Sequence, residues 1–134
     1  PGSSQTVDRI IDAFPVNQQN QIRAQLSVTL EAVISQTLCA KMDDSGRIAA
    51  FEIMFCTPAI QNLIREAKTF RIPSFIQTGA QLGMILLDDF LFNLWARKEI
   101  SFNEMVQKCQ DADAVQNKVR EYTEELKRRQ GRRR

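Results

Sequence analysis

Apolar side chains recur at Ile60, Leu63, Ile64 and Ala67, offsets of three, four and seven, so the stretch from Pro58 to Lys68 predicts a helix with one buried stripe. Gln61, Arg65 and Lys68 then form a polar ridge on another side. Thr57 is placed to accept from the first amides of that helix, and Pro58 at its first position gives up an amide that would have had no partner. The ten residues before it, Arg47 to Cys56, are rich in apolar and aromatic side chains, with charged Glu52 in the middle, and predict a largely buried strand. Val33 to Met42 has a period near two, and Asp43-Asp44-Ser45-Gly46 has turn composition, so the two strands predict an antiparallel hairpin.

Helical spacing dominates elsewhere. Val7, Ile10, Ile11 and Phe14 make a short first helix that Pro15 ends, and Asn17 is a candidate cap for a second helix striped by Ile22, Leu26, Leu30 and Val33. Pro73 to Gly79 predicts one or two further turns. Gly83 to Arg97 carries Leu86, Leu87, Phe90, Leu91, Leu94 and Trp95, an apolar face wide enough for the centre of a helical core. Ser101 and Glu104 have capping-box spacing and open a short helix to about Cys109. From Asp111 onward, Val115, Val119, Tyr122 and Leu126 give a narrow seam along one more helix, docked on the body or on a second chain. The fold class this predicts is α+β, mostly helical with one antiparallel β-hairpin.

Composition narrows the chemistry. The chain has 134 residues, is 43% hydrophobic, and contains no histidine. Ser-His-Asp and Cys-His nucleophilic sites are therefore excluded, and the usual zinc ligand is missing. Only five glycines occur and none belongs to a glycine-rich phosphate loop, so this stretch by itself is not expected to hydrolyse ATP. Cys39, Cys56 and Cys109 are odd in number and widely spaced, which predicts three buried thiols rather than a disulfide framework or a thiolate metal site. Asp88 and Asp89 interrupt the best candidate for an apolar span. Neighbours on a helix also point about 100° apart and share an ion poorly, so no metal is predicted there. Asp8 and Asp12, with Arg9 between them, predict structural ion pairs. Six Lys or Arg and no acid lie between Lys127 and Arg134, and without them twelve basic groups would face sixteen acidic ones. The net +2 is thus a property of that end, where no aromatic interleaves with the arginines and specific nucleic-acid binding is not expected.

The run Ala59-Ile60-Gln61-Asn62-Leu63-Ile64-Arg65-Glu66, preceded by Thr57-Pro58, resembles the signature Ala-Ile-Arg-Asn-Leu-Ile-Arg-Glu of the PilT-type twitching-motility ATPases of the secretion ATPase superfamily. Thr6 to Pro15, Gly46 to Ile53, Ile76-Gln77-Thr78-Gly79 and Leu94 through Ser101 are similar to further blocks of that family in the same order, so the resemblance covers roughly residues 5 to 109. Two positions depart from it. Gln61 stands where the family has an arginine, and Lys98 stands where the family ends a helix with glycine.

The resemblance implies that the chain is the C-terminal portion of a RecA-like motor ATPase domain with its helical C-terminal subdomain. Residues 1–57 would end the ATPase domain, 58–110 would form the helical subdomain, and 111–134 a C-terminal helix with a basic tail. The Walker A and B segments and the aspartate and histidine boxes would lie upstream, so ATP and magnesium are implied for the parent protein only. The opening Pro1-Gly2-Ser3-Ser4 would be a cloning remnant or follow a cut just past the histidine box. The function implied is pilus retraction by a cytoplasmic hexamer, with neighbouring subunits and the inner-membrane platform protein as partners and at most a peripheral membrane contact. Asn62, Arg65, Glu66 and Lys68 are the candidate docking and force-coupling residues. The alternatives are a freestanding interaction or regulatory module, or a piece of a pilus-assembly or type II secretion ATPase.

Overall fold

Seven α-helices and one two-stranded antiparallel sheet make up the described residues, 2–134 of a computed structural model; Pro1 lies outside them. In order these are α1 (Ser3–Asp12), α2 (Gln19–Thr29), β1 (Ala32–Ala40), β2 (Arg47–Phe55), α3 (Pro58–Arg65), α4 (Ile72–Thr78), α5 (Leu87–Ala96), α6 (Phe102–Lys108) and α7 (Ala112–Arg132). Short 3-10 turns precede α2 and α4 and follow α4. The strands pair from Ala32 opposite Phe55 to Ala40 opposite Arg47. The mostly helical architecture with one hairpin is the one the periodicity predicts.

The inward face of the hairpin serves two apolar clusters. Val33 and Met54 join Val7, Ile11, Ile60, Leu63, Ile64, Ile72 and Ile76 from the helices before and after it. Cys39 and Ala50 join Leu87, Leu91, Leu94, Ile100, Met105 and Val115. Between the clusters the inward position belongs to Glu52, opposite Ser35 and only 3% exposed. One of its carboxylate oxygens accepts from the Ser3 N–H and the other from the Leu87 N–H at 3.2 Å. Ser3 and Leu87 are the first residues of α1 and α5, so one buried anion caps two helix N-termini, where backbone donors and the helix dipoles favour negative charge. A β-carbon at Gly2 would lie 2.8 Å from the amide end of the Gln110 side chain and 3.0 Å from Glu52, so glycine leaves room beside the carboxylate that a larger residue would gain only by moving Gln110.

This clamp accounts for two departures from the predicted boundaries. α1 starts at Ser3, before the apolar pattern opens at Val7, and α5 starts at Leu87 rather than Gly83. Residues 83–86 are used otherwise: Gly83 has φ +92°, and Ile85 forms an isolated antiparallel bridge with Ile53 of β2. Asn17 falls inside the 3-10 turn Val16–Gln18 and does not cap α2. The capping box at Ser101 is half formed. Its hydroxyl accepts from the Glu104 N–H at 3.0 Å, whereas the Glu104 carboxylate turns to the Ala40 N–H at 3.1 Å and ties α6 to β1. Asp8 accepts from the Thr69 hydroxyl at 2.7 Å, and among the described residues neither it nor Asp12 pairs with Arg9.

α7 docks on the body of this chain. Val115 is buried, and Tyr122 meets Phe92 and Trp95 of α5 edge-on at centroid distances of 5.5 and 5.8 Å. Lys118 lies over the Phe92 ring at 4.4 Å while its ammonium pairs with Asp89 at 2.8 Å. Asp88 accepts from the Gln110 and Asp111 N–H groups at 2.7 and 3.0 Å and holds the turn into α7. Both acids therefore have structural partners.

Candidate functional site

The Thr57 hydroxyl accepts from the Ile60 N–H at 3.4 Å and Pro58 occupies the first turn, so α3 starts where its sequence dictates. Ile60, Leu63 and Ile64 are buried, each contributing ~1.5–3 kcal/mol through removal of apolar surface from water. The opposite side carries exposed Asn62 and Arg65, joined by a hydrogen bond of 3.0 Å from Arg65 Nη1 to Asn62 Oδ1. That bond spans one turn and presents the guanidinium as a preformed donor set. Gln61, at the place of the first signature arginine, is half-buried.

The helix is shorter than its pattern. It ends at Arg65, and Ala67 takes a left-handed conformation with φ +59° while the Lys68 N–H returns to the Leu63 carbonyl at 2.8 Å. Ala67 is consequently exposed instead of continuing the buried stripe. Lys68 lies past the helix end rather than on its ridge, where its ammonium sits 3.4 Å from the Glu66 carboxylate. The four candidate residues therefore fall into two pairs, Asn62 with Arg65 on the helix and Glu66 with Lys68 on the turn that closes it.

A second surface feature is a cleft of about 400 Å³ between α4, α5 and α7, lined by Glu52, Asp88, Asp89, Gln110, Asp111 and Lys118. Four carboxylates against one ammonium repel a polyphosphate, so these residues do not fit a nucleotide. Among the described residues no group of three or more His, Cys, Asp or Glu is arranged to hold a metal ion. No described helix is long and apolar enough to cross a membrane. Burial pushes the thiols of Cys39, Cys56 and Cys109 above the ordinary cysteine range, so none is an activated nucleophile. Cys39 is fully buried and the other two are half-buried, short of the three buried thiols predicted.

Sequence reasoning registered Glu52 only as a charge within a strand. Its partners lie 49 and 35 residues away, and its place midway along an apolar strand is the one trace of its role.

No family model matches the chain. Over 99 residues it is 50% identical to the type IV pilus retraction ATPase PilT of Pseudomonas aeruginosa, an overlap that covers 74% of this chain and 28% of that protein. Over 114 residues it is 40% identical to a twitching motility protein of Neisseria gonorrhoeae, covering 85% of this chain and 30% of the relative. Its fold superposes on the crystal structure of the pilus retraction motor PilT with bound ADP at a TM-score of 0.77 and 32% identity, over 87% of this chain and 32% of the other. The chain thus spans under a third of the length of each of these relatives.

Proposed function

We propose that this chain, a C-terminal segment of the PilT type, is the coupling part of a pilus-retraction motor and passes motion generated by ATP hydrolysis to the pilus machinery. Nucleotide and magnesium would be handled by residues other than these, since the cleft here is acidic. Asn62 and Arg65 would dock on the partner, a neighbouring subunit of a hexameric ring or the membrane platform protein, with Glu66 and Lys68 shaping the edge of that contact. The working compartment would be the cytoplasm.

The observation that carries this reading is the division of α3 into a sealed apolar stripe and an exposed Asn62–Arg65 pair within the segment that resembles the family signature. The same pairing of Asn with the Arg three residues on occurs at Asn20–Arg23 and Asn117–Arg120, so what singles out Asn62–Arg65 is its place in the signature-like segment; there a pre-arranged pair favours docking because less side-chain freedom is lost on binding. The test is Arg65→Ala in the full-length protein, read by ATP hydrolysis and by twitching motility. Hydrolysis at the parent rate with motility lost is the expected result. Unchanged motility would refute the coupling role.

A further inference from the structure

The end of α7 is set apart from the body. Every residue from Thr123 onward is exposed, and the last contact of the helix seam with α5 is made by Tyr122. Charge along this end is segregated by position on the axis rather than by face. Glu121, Glu124 and Glu125 form an acidic collar, followed by Lys127, Arg128, Arg129, Arg132, Arg133 and Arg134. The two groups are centred about 10 Å apart at the helical rise, close to the screening length of physiological salt. Successive residues turn by 100°, so Lys127, Arg128, Arg129 and Arg132 point to more than one side of the helix. Glu125 is engaged within the helix, its carboxylate 2.8 Å from Arg129.

We infer that this helix end is a membrane-contact site that meets an anionic lipid surface tip-first. The inference is independent of the coupling role proposed for α3. Lying flat would bring the acidic collar onto the lipid phosphates, and Leu126 is the one large apolar side chain past Tyr122, too little to bury an amphipathic face. Standing on its end, the helix puts the arginines within the surface potential and keeps the glutamates about one screening length away. A nucleic-acid groove is the poorer fit. It would take the helix lengthwise, acids included, and no aromatic lies beyond Tyr122 to stack on a base.

The experiment is co-sedimentation of the 134-residue chain with vesicles of phosphatidylcholine, alone or with about a third phosphatidylglycerol. Binding is expected to the anionic vesicles only, and to weaken as salt is raised. Replacing Arg128, Arg129, Arg132 and Arg133 by Gln, a residue of similar helix propensity, should cost roughly fivefold for each of Arg132 and Arg133, about twofold for each of Arg128 and Arg129, which stand about 8–9 Å back from the tip, and on the order of a hundredfold together. Glu121→Gln with Glu124→Gln should change binding less than about twofold, because in the tip-first pose the collar is screened from the surface. Absence of binding to anionic vesicles, or binding that survives the four Arg→Gln changes, would overturn the site. A tenfold gain from the Glu→Gln pair would overturn the tip-first pose. Tighter binding to duplex DNA than to the vesicles, lost with the same arginines, would replace the lipid surface with nucleic acid.

Discussion

Replacing Glu52 removes the one group among the described residues that reaches the first amides of both α1 and α5. Each of its two hydrogen bonds is charge-assisted, and each backbone N–H left without a partner in the interior costs ~1–3 kcal/mol. Two favourable helix-dipole contacts of about 0.3–2 kcal/mol each are lost as well. Relief from burying a carboxylate offsets part of this, which leaves about 3–5 kcal/mol for Glu52→Ala, the range for breaking one side of a buried charged contact. A domain of ordinary stability holds ~5–15 kcal/mol, so the variant gives up a large fraction of it. Glu52→Gln retains one acceptor oxygen but turns an amide N–H₂ toward the second donor, and should lose about half as much. The decisive variant is Glu52→Met, which fills most of the space yet accepts no bond. Urea titration followed by fluorescence of the single tryptophan, Trp95, measures all three. With a slope of about 1–3 kcal/mol per molar urea, the Ala and Met variants should lower the midpoint by on the order of 1–3 M. A Met variant as stable as the parent would refute the clamp.

The clamp also explains which helix starts were legible in the sequence. α3, α6 and α7 begin at residues whose own side chains, Thr57, Ser101 and Asp111, accept from the first turn, and sequence alone places all three near their observed starts. α1 and α5 are capped across the fold by a residue of β2, and their local marks, the Gln5 side chain on the Gly2 N–H and Asp88 with Asp89 in the first turn of α5, include no side-chain cap from Gly2 or Leu86. The hairpin was readable because its pattern changes to period two and its turn carries Gly46 at φ +135°. The length of α3 was not. Ala67 continues the apolar spacing, but the chain reverses there in a left-handed turn that alanine disfavours, and Lys68 leaves the ridge with it. The Asn62–Arg65 bond joins residues i and i+3 of a helix, a spacing open to reading, although the ridge that periodicity predicts is Gln61, Arg65 and Lys68 and includes no such pair.

Further outcomes test other parts of the molecule. Lys98 ends α5 with φ +61°, with the Glu99 N–H bonded to the Leu94 carbonyl at 2.9 Å, so Lys98→Gly should add about 1 kcal/mol and raise Tm by about 3–5 °C. Lys98→Ala keeps the β-carbon and should add nothing by the same thermal melt; an equal gain would point away from backbone strain. Tyr122→Ala should loosen α7 from α5 and shift Trp95 emission to the red, since two of the edge-on contacts in that cluster belong to Tyr122. The three thiols, one buried and two half-buried, have raised folded pKa values, so the stability they contribute is whole below the ordinary cysteine value and is lost as pH rises toward the folded one, the unfolded thiols ionising first. Urea midpoints across that alkaline range should therefore fall, and Cys39 should react with a thiol reagent more slowly than Cys56 and Cys109.

The central claim is that α3 has one side for folding and another for a partner, and the direct measurement compares Leu63→Ala with Arg65→Ala in the full-length protein, scoring unfolding and pilus retraction for each. Leu63→Ala should lose about 2–5 kcal/mol of stability, as a cavity in a packed core does. Arg65→Ala should stay within about 0.5 kcal/mol of the parent, as an exposed substitution does, while retraction fails. An Arg65→Ala protein that unfolds as readily as Leu63→Ala, or that retracts pili at the parent rate, would contradict the account.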